Sequence, residues 1–228
     1  MIQENLNCSF IQACNHTDCD SFCIKRFKTE FFFEQGLIPL DKRLKYPMYV
    51  DKDGRDDVSF ERLSNIEKNI VDYVQKGNNL YMYSKNPGNG KTSWAFRLLR
   101  SYINNTWFNK DLNTIVLFIS VPKFLLELKA NITEKSDYIK HILSYVNKCD
   151  LVVWDDIGSK NGTEFEVSYL LSIIDDRINN KKSNIYTSNL NKDELHKLLG
   201  DRVYSRVYNY SECIEFLGKD KRNLRGDK

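Results

Sequence analysis

The chain has 228 residues, 41% hydrophobic and 29% charged, with a formal net charge of +3. No apolar stretch approaches the ~20 residues a membrane helix needs, and so small a net charge does not suit an indiscriminate nucleic-acid binder. With neither an internal repeat nor a low-complexity linker, the composition is that of an ordinary soluble globular protein.

From the N-terminus, Cys8, Cys14, Cys19 and Cys23 come first, four of the six cysteines in the chain. No apolar signal-peptide core precedes them, so a reducing, cytoplasmic setting is expected. Clustered thiols in such a setting read as a metal site rather than as disulfides. Cys19 and Cys23 are four apart, so one helical turn aims both thiolates at one ion. The spacings differ from a C-x-x-C finger, and His16 competes for one ligand place, which leaves Cys₄ and Cys₃His zinc both open. The plain alternative is a set of small hydrophobes in a helix. A segment this short buries little core and usually needs a staple. Residues 1–50 are therefore expected to form a zinc-stabilised module, 51–58 a charged linker, and 59–228 one larger domain. The basic runs Lys25-Arg26-Phe27-Lys28 and Lys42-Arg43-Leu44-Lys45 suit solvated faces.

The run Leu80-Tyr81-Met82-Tyr83 predicts a strand, and Trp94 to Tyr102 a helix. Between them lies Lys85-Asn86-Pro87-Gly88-Asn89-Gly90-Lys91-Thr92-Ser93. Strand, Gly-rich turn and helix are the context of a phosphate-binding loop. Small residues let backbone N–H groups form an anion nest, and the helix N-terminus adds its dipole. Lys91 is placed to reach the β- and γ-phosphates of ATP, and the Thr92 hydroxyl to ligate Mg²⁺. One position departs from G-x-x-x-x-G-K-[ST]: Lys85 stands where the first Gly is expected.

A second strand is predicted over Thr114 to Ser120. The third, Leu151-Val152-Val153-Trp154, ends in Asp155-Asp156. Four apolar residues before two acids suit a central parallel strand covered on both faces. Asp155 would hold Mg²⁺ and Asp156 would orient or deprotonate the attacking water. An Asp there is one methylene shorter than the Glu of many such ATPases, which bears on hydrolysis rate. Thr163 with Glu166, and Asn191 with Glu194, are capping boxes opening helices, the first running to about Asn180. Ser183 to Asn189 is a fourth strand. Ser188 or Asn189, at its carboxyl end, faces a ligand in an open α/β sheet, and Asn189 serves equally well as a turn residue capping the next helix. Arg202 and Arg206 are four apart, so they share a helical face. Cys149 and Cys213 fall at strands and read as core residues. The alternation of strand and helix predicts an α/β fold with a parallel sheet flanked by helices.

The phosphate loop, Val152 to Gly158, Tyr186-Thr187-Ser188-Asn189-Leu190 and Asp201 to Val207 occur in the order seen in replicative-helicase loaders, AAA+ ATPases of the DnaC/DnaI type. The chain resembles them over roughly Phe60 to Phe216. The resemblance implies an AAA+ P-loop fold with ATP and Mg²⁺ as cofactors. It also implies that Asn189 positions the lytic water and that Arg206 is an arginine finger presented to a neighbouring subunit's ATP, with Arg202 as the competing candidate. Arg222 resembles a second-sensor arginine. The implied partners are a hexameric replicative helicase, single-stranded DNA and further copies of the chain across the ATP site. The N-terminal zinc module would contact the helicase. In initiator-like relatives the block between the second and third strands lines a single-strand channel, where Lys123, Phe124 and Lys129 would supply charge and stacking, Phe124 serving equally well as a core residue. A phage origin would rest on resemblance alone. The alternatives are an IstB-like transposition helper, a nucleotide-switched adaptor with little hydrolysis, and, against the Arg202/Arg206 element, a small-molecule phosphotransferase.

Overall fold

The apolar runs become the strands of one parallel sheet. The computed structural model describes residues 23–44, 54–131, 135–159 and 162–221. In chain order the elements are α1 (Ile24–Gln35), α2 (Leu40–Arg43), α3 (Asp57–Lys68), α4 (Ile70–Gln75), β1 (Asn79–Tyr83), α5 (Lys91–Thr106), β2 (Val116–Ser120), α6 (Val121–Ala130), α7 (Asp137–Tyr145), β3 (Leu151–Asp155), α8 (Glu164–Asn179), β4 (Ser183–Ser188), α9 (Lys192–Tyr204) and β5 (Ser211–Glu215). The strand order is β2-β3-β4-β1-β5, and every pair is parallel.

Successive strand residues point to opposite faces, and both faces are covered. Leu80, Met82, Val116, Leu151, Val153, Ile185 and Ile214 pack with residues of α1, α3 and α5. Tyr81, Leu117, Ile119, Val152, Trp154 and Tyr186 pack with α6, α7 and α8 on the other side. Double coverage is why β1, β2 and β3 read as apolar runs. Both capping boxes form, at Thr163–Glu166 and at Asn191–Glu194. Cys149 is buried and Cys213 is half-buried.

The N-terminal boundary needs correction. Phe32, Phe33 and Ile38 are buried in the same core as α5, and Phe118 N–H donates to Gly36 O at 2.8 Å. The Arg100 guanidinium donates to Lys42 O at 3.1 Å and also to Leu44 O. Residues 24–44 thus belong to the sheet domain, because α1 supplies part of its core. The expected linker also ends inside that domain: Asp56 is 0% exposed, and α3 begins at Asp57. Of the expected zinc ligands, Cys8, Cys14, Cys19 and His16 lie outside the described residues. Cys23 occupies the N-cap position of α1 as a free thiol. Among the described residues no cluster has a metal-ligand set, and no helix is long and apolar enough to cross a membrane.

At the amino ends of β3 and β4 a fully buried Arg177 joins four segments. It donates to Asn184 Oδ1 at 2.7 Å, Cys149 O at 3.1 Å and Ser183 O at 2.6 Å, and also to Val146 O. Beside it, Asp150 accepts from Lys110 at 2.8 Å, Lys182 at 3.2 Å and Tyr102 at 3.0 Å.

Candidate nucleotide site

The carboxyl ends of β1, β3 and β4 meet at the N-terminus of α5, the edge where open parallel sheets receive ligands. The loop between β1 and α5 is braced from below. Ser84 is buried; its Oγ accepts from Asn86 N–H at 3.0 Å and from the Asn89 amide. Gly88 and Gly90 hold φ of 74° and 109°, a region costly for residues with a Cβ. Lys85 is not among the positive-φ residues and is exposed, so the loop does not require Gly there. The buried Lys91 ammonium donates to Asn89 Oδ1 at 3.2 Å and Asn86 O at 3.4 Å, which holds it against the loop. Asn89 is itself buried and braces the loop from within, while Pro87 is exposed and Ser93 half-buried.

Four polar groups converge beneath the loop. Thr92 Oγ1 donates to Asp155 Oδ1 at 2.8 Å, and Thr187 Oγ1 donates to the same oxygen at 2.7 Å. Asp156 N–H donates to Thr187 Oγ1 at 3.0 Å. Asp156 has φ of 59°, the left-handed region that Asp tolerates better than most residues. Burial pushes the Asp155 carboxyl above its ordinary value; the bonds from Thr187 and Thr92 oppose the rise, as does Lys91, and Asp156 adds to it. A carboxylate and a hydroxyl this close are hard oxygen donors of the type Mg²⁺ takes. The residues present therefore fit the metal, Asp155 and Thr92 being the groups that would hold it.

The C-terminal segment covers the loop from outside. Lys221 N–H donates to Gly88 O at 3.0 Å, and the Asn86 amide donates to Gly218 O at 3.4 Å. A Cβ on Gly88 would collide with the Asp220 carboxylate. The seat of this segment is Asp56. Its Oδ1 accepts from Leu217 N–H at 2.7 Å and Gly218 N–H at 3.0 Å, and its Oδ2 from Lys221 Nζ at 3.2 Å.

The other expected site residues are dispersed. Asn189 is the exposed residue after β4. Arg206 lies in a π-helical turn, Ser205–Asn209, with its Nε 2.5 Å from Asp175 Oδ1 and its guanidinium 5.5 Å from the Tyr210 ring centre. Arg202 is exposed and lines the same recess with Asp175, Asp201 and Ser205. Arg222 lies outside the described residues. Lys123 and Lys129 are exposed on α6, the former 4.4 Å over the Tyr138 ring. Phe124 is 0% exposed, which selects the core alternative over the stacking role. Sequence reasoning missed the roles of Thr187 and Asp56, because each depends on segments far apart in the chain.

The family model for IstB-like ATP-binding proteins matches residues 53–208. The replicative helicase loader DnaC of Escherichia coli (strain K12) is 24% identical over 180 residues, covering 77% of this chain and 67% of DnaC. A crystal structure of the DnaC helicase loader is similar with a TM-score of 0.60 at 24% identity, over 74% of this chain and 93% of that one. The crystal structure of DnaI has a TM-score of 0.61 at 19% identity, over 81% of this chain and 94% of that one. The braced loop, the carboxylate under it and the sequence match agree, and the chain belongs to the IstB-like ATP-binding protein family, as an AAA+ domain homologous to the helicase loader DnaC.

Proposed function

We propose that this chain is an ATP-dependent loader that engages a hexameric replicative helicase in the cytoplasm and delivers it to single-stranded DNA. The observation that carries the reading is the 2.8 Å bond between Thr92 and Asp155 beneath a phosphate loop, in a chain homologous to DnaC. Loop amides and Lys91 bind the β- and γ-phosphates; Thr92 and Asp155 hold Mg²⁺, which when bound neutralises charge on the transferring phosphoryl group. Asp156 orients or deprotonates the attacking water, and Asn189, at the carboxyl end of β4, helps to position it. Arg206 acts on the ATP of a neighbouring copy, which makes self-association part of the activity. Lys123 and Lys129 provide charge for single-stranded DNA, the buried Phe124 being unable to stack on it. Cys8, Cys14, Cys19 and Cys23, or His16 in place of one, bind zinc in the segment that meets the helicase.

Two measurements test this reading: co-purification of the host replicative helicase with the tagged chain, and ATP turnover with and without single-stranded DNA. Helicase capture with stimulated turnover is the expected result. A second reading is the IstB-like transposition helper, the matching family model being described as IstB-like; capture of a transposase with no helicase would select it. Nucleotide binding without turnover in every condition would select a nucleotide-switched adaptor.

A further inference from the structure

The hydroxyl of Thr187 stands against two adjacent acidic residues at the carboxyl end of β3. Thr187 is fully buried on β4, and its Oγ1 accepts from Asp156 N–H at 3.0 Å while donating to Asp155 Oδ1 at 2.7 Å. The direction of both bonds is fixed by chemistry: an amide only donates, and an ionised carboxylate only accepts. Its backbone adds a third tie, since Ile157 N–H donates to Thr187 O at 2.9 Å. The turn so held is the one in which Asp156 adopts φ of 59°. In an extended continuation of β3, Asp155 and Asp156 would point to opposite faces of the sheet. The left-handed turn breaks that alternation, and the Thr187 hydroxyl pins both sides of the break.

We infer that Thr187 is a positioning residue: its hydroxyl fixes the Asp155 carboxylate against Thr92 and locks the Asp156 backbone, setting the placement of one acid relative to the other. The inference rests on the proposed nucleotide site. Groups that orient metal-holding carboxylates are typically worth 10–100-fold in metal affinity or activity.

The test uses the full chain with Thr187→Val, which keeps shape and removes the hydroxyl, and Thr187→Ser, which keeps the hydroxyl. Affinity for a non-hydrolysable ATP analogue is measured by calorimetry in EDTA and again in Mg²⁺, alongside turnover of ATP. The expected result for Thr187→Val is analogue affinity in EDTA within about twofold of the parent, with the Mg²⁺-dependent gain in affinity and kcat each lowered about 10–100-fold. Thr187→Ser retains both. Thr187→Val with the full Mg²⁺ gain and full turnover overturns the inference and leaves the site standing. Equal loss in Val and Ser variants also overturns it, since packing rather than the hydroxyl would then matter. If the Val variant does not fold, the Ser variant decides: retention supports the role, loss removes it. A parent chain that binds no analogue in either condition would remove the nucleotide site and this inference together.

Discussion

Lys91 is buried at the first turn of α5 and already hydrogen-bonds the loop it serves. Its ammonium is preorganised, so removing it should cost binding rather than fold. A charged hydrogen bond is worth about 1.5–3 kcal/mol, so Lys91→Ala should weaken ATP about tenfold to a hundredfold in calorimetry, with little change in unfolding without nucleotide. Unchanged ATP affinity would remove the phosphate-loop assignment. Arg206 calls for a different experiment, because on its own chain it pairs with Asp175 and is only 36% exposed. A finger acting on developing charge is worth about 10³–10⁵ in rate and little in ground-state binding. Arg206→Ala should therefore bind ATP normally and lose stimulated turnover. Mixing it with Asp156→Asn should restore part of the rate, since one mixed interface then holds both intact groups. Full turnover by Arg206→Ala alone would refute the role. The contrast in legibility at this scale is physical. The phosphate loop is written in consecutive residues, so spacing alone reveals it. Thr187 and Asp56 acquire meaning only when β4 meets β3, or when the C-terminal segment folds back. Phe124 is the reverse case: a helix can turn a ring to either side, and its neighbours place this one in the core.

Secondary structure was most readable where burial is two-sided. β1, β2 and β3 announce themselves as apolar runs; β4 is fully buried yet has only Ile185 and Tyr186 as apolar residues, and β5, Ser-Glu-Cys-Ile-Glu, shows no run because an edge strand with half-exposed side chains needs few apolar residues. Its pairing to β1 is reinforced from outside by Ser59 Oγ donating to Glu215 O at 2.6 Å and by Arg62 on Glu212 at 2.7 Å. The joint between α7, α8, β3 and β4 rests on Arg177, whose planar fork serves acceptors that an ammonium could not reach together. Arg177→Met should lower unfolding stability by about 3–5 kcal/mol, the cost of leaving a buried polar network unpaired. Denaturant titration reads this, and a change within about 0.5 kcal/mol, the range of an ordinary surface substitution, would show the joint to be dispensable. Asp150, at the same end of the sheet, gives the fold an acid response. Burial alone would raise its carboxyl, but the bond from Lys110 and the charges of Lys110 and Lys182 bring it below the ordinary value. A depressed folded value means stability is present above the unfolded value of about 3.9 and is lost as pH falls through the folded one. Asp150→Asn should lower stability at neutral pH and flatten the loss below about pH 4. A parallel pair of curves would deny Asp150 that part.

Across the whole molecule, the N-terminal division was misplaced for a reason that composition hides. The run Asp51 to Asp57 looks like a solvated linker, yet its sixth residue is a buried anchor, and α1 lies within the core. If the segment ahead of α1 holds zinc, freshly purified reduced protein should contain about one zinc per chain by elemental analysis, and a chelator should abolish helicase capture while sparing ATP binding. Metal-free protein that still captures helicase would retire the zinc site. Asp56 has the wider consequence. Chain entering from the N-terminal side, the segment Leu217 to Lys221 and the phosphate loop all bear on this one carboxylate or on what it seats. Through Lys221, whose ammonium it holds and whose N–H donates to Gly88 O, Asp56 is one step removed from the phosphate loop. Asp56→Asn should loosen that seat, seen as faster hydrogen exchange at residues 84–90 with the remaining sheet amides unchanged. The start of α3, the C-terminal segment and the phosphate loop are thereby yoked through a single side chain, so a change in the seating of one is shared by the other two.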